Sequence, residues 1–142
     1  MKKLPFAILC SVSAIAIGLS TWSLVRSYTA PKPEIEYTMY VGTNDKETYQ
    51  LEMPLDEARA IVHNTMMDHF SDGFTMYDAK GVWRDESNVV TLEYTFVCIV
   101  EYGPKSEVYK AADELIEKLN QSTILVVSNS VSKVDFYTGS NK

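Results

Sequence analysis

The order in which two hydrophobic periods follow one another along this chain leaves few folds open. Residues 34–42, EIEYTMYVG, set Ile35, Tyr37, Met39 and Val41 against Glu36, Thr38 and Tyr40, the two-residue period of a strand with one buried face. Pro54 suits a first helical turn, and Asp56 and Glu57 favour the positive end of a helix dipole. Leu55, Ala58, Ile61, Val62, Thr65 and Met66 then recur at helical spacing as far as Phe70. Residues 74–84 and 89–102 read as strands flanking a turn at 85–88. Ser106 is the expected cap of a second helix with Val108, Ala111, Ala112, Leu115, Ile116 and Leu119 on one stripe. Residues 122–137 supply a last strand, with a bulge expected at 128–130. The order βαββαβ predicts an α+β, ferredoxin-like domain, a four-stranded antiparallel sheet with two helices on one face.

Residues 73–88, GFTMYDAKGVWRDESN, cluster glycine, tryptophan and charge as an active-site loop would. Cross-strand arithmetic accounts for them otherwise. A four-residue turn at 85–88 puts Arg84 opposite Val89, Trp83 opposite Val90, Gly81 opposite Leu92 and Ala79 opposite Tyr94, with small residues making room for large ones. Asp78 and Lys80 then face outward beside Glu93 and Thr95. Asp85, Glu86, Ser87 and Asn88 are residues that turns favour.

Ahead of this body, residues 4–25 carry no charge, follow Lys2 and Lys3, and end at Arg26. At about 1.5 Å per residue such a run spans a bilayer core as a helix. Residues 1–26 are therefore expected to be a single-pass transmembrane anchor, 27–34 a proline-containing linker, and 35–142 the domain. The basic N-terminus places that domain outside the cytoplasm. A cleaved signal peptide, giving a secreted domain, is the competing expectation. All nineteen acids but only ten of the thirteen basic residues lie beyond residue 27, a net charge of −9. So acidic a body repels nucleic acid. Cys10 and Cys98 stand in unrelated settings and form no disulfide framework; Cys98 shares its parity with Leu92, Tyr94 and Phe96, as a core residue would.

The segment YVG closing the first strand, DGFT after the first helix and A-x-G-x-W in residues 77–84 together resemble a bacterial family of short domains of unknown function. The resemblance covers roughly residues 36–137. It implies a small secreted or membrane-anchored α+β protein and brings no catalytic residues with it.

No phosphate loop, nucleophile elbow or zinc-site cysteine spacing occurs, and His63 and His69 lie too far apart around one helix to share an ion. No catalytic residue, metal or cofactor is therefore expected, and an enzyme is the less favoured reading. The sheet face left uncovered by the helices is the candidate binding surface, with Thr38, Tyr40, Asp78, Lys80, Glu93, Thr95, Val97 and Ile99 expected on it. Exposed Tyr40, Val97 and Ile99 would suit a second copy of the domain or an envelope protein. The alternative is a dimeric α+β barrel enclosing a small-molecule pocket or an enzyme site.

Overall fold

The computed structural model describes residues 20–21, 34–84, 88–135 and 137–139, and the chain divides into two compact units, residues 1–32 and 33–142. Of the first unit only Ser20 and Thr21 are described, both helical. The expected transmembrane helix at 4–25 otherwise lies outside the described residues. Among the described residues no helix is long and apolar enough to cross a membrane.

The second unit runs β1 (Glu34–Gly42), α1 (Leu55–His69), β2 (Thr75–Arg84), β3 (Val90–Val100), α2 (Lys105–Lys118) and β4 (Leu125–Val131). Its four strands form one antiparallel sheet in the order β2-β3-β1-β4. This is the expected α+β, ferredoxin-like arrangement. Both helices open directly behind a proline whose carbonyl accepts from the first turn: Glu57 N–H to Pro54 at 2.9 Å and Glu107 N–H to Pro104 at 2.9 Å. Neither helix has a side-chain cap, so Ser106 lies inside α2 and does not cap it. β4 pairs with β1 in unbroken register from Leu125 to Val131, and the bulge expected at 128–130 does not form.

The core lies between the helices and one sheet face. Ala58, Val62 and Met66 of α1 and Val108, Ala111 and Leu115 of α2 close over Met39, Val41, Phe96, Cys98 and Val100. Burial pushes the Cys98 thiol up to about 12, which leaves it a small apolar filler. At the rim, the His69 ring sits between Glu107 at 3.2 Å and Glu114 at 3.0 Å, and Lys118 reaches Glu114 at 2.5 Å. This charged seam joins the two helices where the apolar stripe ends.

The β2–β3 register departs from expectation by one residue. Arg84 pairs with Val90, Val82 with Leu92, Gly81 with Glu93, Lys80 with Tyr94, Ala79 with Thr95 and Asp78 with Phe96. Five residues separate the paired ends where four were expected, and Asn88 takes a left-handed φ of 68°. Arg84 reaches the Asn88 side-chain oxygen at 3.1 Å. Because strand side chains alternate, one added residue exchanges the two faces of β2 against β3. Asp78 and Lys80 accordingly stand on the helix side, opposite to expectation. Asp78 receives the Arg59 guanidinium of α1 at 2.6 and 3.0 Å, and this hydrogen bond, with one from Tyr94, lowers its pKa. Lys80 borders a shallow hollow with Leu51, Leu92 and Tyr94.

Candidate functional site

The corrected register determines what the open sheet face presents. Gly81 of β2 pairs with Glu93 of β3, and Gly42 of β1 pairs with Thr95, the next residue of β3 on the same face, so the two glycines flank Glu93 diagonally across three strands. Neither glycine has room for a side chain. A Cβ on Gly42 would stand 2.5 Å from a Glu93 carboxyl oxygen, and one on Gly81 would stand 2.6 Å from Thr95 Oγ1 and 3.1 Å from Glu93 Cγ. Glycine inside a strand weakens it, and a close approach of another group is a usual reason for keeping one. Here that group is a carboxylate laid across the sheet.

A pocket of about 460 Å³ opens above this floor. Gly42, Gly81, Glu93 and Thr95 line its base, Tyr40 and Leu125 one wall, and Tyr49 and Trp83 another. The β1–α1 loop builds the second wall. Asp45 Oδ1 accepts from the backbone N–H of Glu47 at 2.8 Å and Thr48 at 3.1 Å, which closes a tight turn. Tyr49 follows with a φ of 57°, and its ring stands 5.7 Å from Trp83. Side chains hold the loop in place. Asn44 donates to the carbonyls of Tyr49 and Leu92, Gln121 donates to the carbonyl of Asn44 at 2.5 Å, and Asn120 donates to Asp45 at 2.7 Å.

Two polar groups in the base lack ordinary solvation. Burial raises the Glu93 pKa, against which the backbone N–H groups of Asn44 and Thr43 donate to its carboxylate. Thr95 is 5% exposed, and its hydroxyl is the one buried side-chain polar atom with no hydrogen-bond partner among the described residues. An unmade hydrogen bond of this kind costs about 1–3 kcal/mol. Folding alone does not account for both groups.

Of the residues expected on this face, Thr38, Tyr40, Glu93, Thr95, Val97 and Ile99 lie on it by register, whereas Asp78 and Lys80 do not. Val97, expected to be exposed, is 1% exposed, because it sits between Tyr40 and Tyr77 on the neighbouring strands. Gly42, Gly81, Trp83, Tyr49 and Gln121 belong to the pocket but were not foreseen as part of it. The signal was the pair of glycines within two strands.

Residues 36–136 match the family described as Protein of unknown function (DUF3574). The chain belongs to this family. None of the curated proteins matches the domain. Its fold is similar to that of a phage SAM lyase solved in complex with S-methyl-5'-thioadenosine, with 14% identity and a TM-score of 0.54 over 72% of this chain and 84% of that one. The periplasmic divalent cation tolerance protein CutA from Archaeoglobus fulgidus gives 13% identity and a TM-score of 0.47 over 70% of this chain and 86% of that one. At such identities the likeness concerns the fold alone.

Glu93 provides a direct check of the floor. A carboxyl whose folded pKa exceeds its ordinary 4.5 binds its proton more tightly in the folded chain, so stability falls as pH rises from 4.5 through the folded value. Glu93→Gln keeps an acceptor for the backbone donors and removes the titration. It is expected to raise the melting temperature at pH 7, with the gain vanishing below pH 4.5; equal destabilisation at both pH values would show that the carboxylate serves the fold.

Proposed function

We infer that the domain is a binding module whose open sheet face receives a small organic molecule. The observation that carries this reading is Glu93, a desolvated carboxylate laid between two side-chain-free positions at the base of a pocket of about 460 Å³. That volume falls in the range of small-ligand sites, and a mostly apolar lining with a few convergent polar groups is their usual composition. The phage SAM lyase shares the fold and holds a small molecule, an analogy that leaves the ligand of this domain open.

Amide chemical-shift mapping of the labelled chain against a set of small aromatic and aliphatic fragments tests the reading. Bound fragments are expected to converge on Gly42, Gly81, Thr95 and the Trp83 indole. Gly81→Val, which fills the floor, is expected to weaken them by about tenfold or more, the size of about 1.4 kcal/mol. Fragments that gather elsewhere, or that ignore this substitution in a folded chain, would remove the pocket from consideration.

A second reading is favoured by large exposed side chains on the same sheet face, Tyr77 at 48% and Leu125 at 60%. A second copy, or an envelope protein, laid over this face would cover them and roof the pocket, as in a dimeric α+β barrel. The apolar run at 4–25, with its basic start, supports a further element of the proposal: the domain is tethered to the membrane on the side away from the cytoplasm. Protease added outside intact cells is then expected to degrade the domain, and full protection would contradict the outward orientation.

A further inference from the structure

The pocket's charge and donor balance narrow the kind of molecule it accepts. Among the described residues no Lys, Arg or His lines it, and Glu93 is its single ionisable group apart from the phenols of Tyr40 and Tyr49. An anionic ligand would meet an unscreened carboxylate with no cation to offset it. The body around the pocket carries a net charge of −9, so the long-range field attracts cations and turns anions away.

The hydrogen-bonding inventory points the same way. Backbone N–H groups of Thr43 and Asn44 use part of the acceptor capacity of the Glu93 carboxylate, and a carboxylate has about four acceptor positions. Glu93 and Thr95 both line the pocket, and the Thr95 hydroxyl, buried just under its floor, has no partner among the described residues. Both are satisfied by a group with several N–H donors and one positive charge. The aromatic walls add a third contribution, since ring faces attract a nearby cation, and Tyr49 and Trp83 line the pocket beside the floor. Tyr40 and Leu125 offer the opposite wall to an apolar body.

We propose that this pocket binds a small primary ammonium compound, its NH₃⁺ group donating to Glu93 and Thr95 and its apolar part lying between the Tyr49–Trp83 wall and the Tyr40–Leu125 wall. The proposal rests on the reading of this face as a small-molecule site. Glu93 sets the charge of the ligand, Thr95 sets its donor character, and the rings and Leu125 accept its body. The two glycines keep the carboxylate low enough for the ammonium to enter above it.

Three probes of similar shape and different charge separate the ligand class from the pocket itself: 2-phenylethylammonium, 2-phenylethanol and 3-phenylpropionate. Each is titrated into the isotope-labelled full chain in a nonionic detergent, followed at the amides of Gly42, Gly81 and Thr95 and at the Trp83 indole N–H. The ammonium probe is expected to bind about tenfold or more tightly than the alcohol, with the carboxylate weakest, as a charge-assisted hydrogen bond predicts. Glu93→Gln is expected to bring the ammonium and the alcohol to equal affinity, and Thr95→Val to weaken the ammonium severalfold, both with an unchanged circular dichroism spectrum. If the alcohol binds at these residues as tightly as the ammonium, the ligand class is wrong and the pocket reading stands. If none of the three perturbs them, both readings fall. A preference for ammonium that survives Glu93→Gln would also overturn the assignment.

Discussion

The pairing of Gly81 with Glu93 is the constraint on which the rest of this domain depends. In an antiparallel pair the side chains alternate between faces, so one register decides the whole of both faces. With Gly81 opposite Glu93, the carboxylate lies on the face away from the helices, over a strand position that carries no Cβ. Thr95, Trp83 and the far wall at Tyr40 fall on the same side. On the other side the same register brings Asp78 beneath Arg59, 2.6 Å away, and stacks Phe96 under the guanidinium at 5.0 Å. One added residue in the β2–β3 connection thus separates an ion pair on the helix side from a partly buried carboxylate on the open side.

The two faces answer to different requirements. The helix side is satisfied within the chain: apolar stripes meet, Cys98 is inert, and His69, Glu107, Glu114 and Lys118 pair with one another at the rim. The open side is not. It holds a carboxylate that burial pushes toward its neutral form and a hydroxyl with no partner, beneath aromatic walls that only a turn of Asp45 and a left-handed Tyr49 bring into place. Asn44, Asn120 and Gln121 spend their side chains on fixing that loop rather than on the core. Polar groups left unsatisfied by folding, on a rigidly held concave face, are what binding sites retain at a cost in stability.

Much of the architecture was legible in the sequence because it is written in periods. The alternation at 34–42 and the stripes of Ala58, Val62 and Met66 and of Val108, Ala111 and Leu115 fix strand, helix and core face by spacing alone. The β2–β3 register was not legible in that way. All the charge of 75–84 falls on Asp78, Lys80 and Arg84 of one parity, so hydrophobicity turns the other parity, with Ala79, Gly81 and Trp83, toward the core; the connection, where Asn88 turns left-handed, sets the opposite choice. Val97 shows a related limit: parity places it on the open face, but the tyrosines beside it decide its burial. The pocket was half legible. Tyr40, Glu93 and Thr95 follow from strand parity, whereas Tyr49 and Gln121 come from loops, where no period operates. Gly42 and Gly81 were read as the end of a strand and as room for a neighbour, and only the alignment of Gly81 with Glu93, whose carboxyl reaches across to Gly42, gives them their meaning.

The account stands or falls on that alignment, and cross-strand nuclear Overhauser contacts measure it directly. Backbone contacts between β2 and β3 are expected to place Gly81 opposite Glu93 and Ala79 opposite Thr95. Contacts placing Gly81 opposite Leu92 and Ala79 opposite Tyr94 would return Asp78 and Lys80 to the open face and dissolve the site built around Glu93.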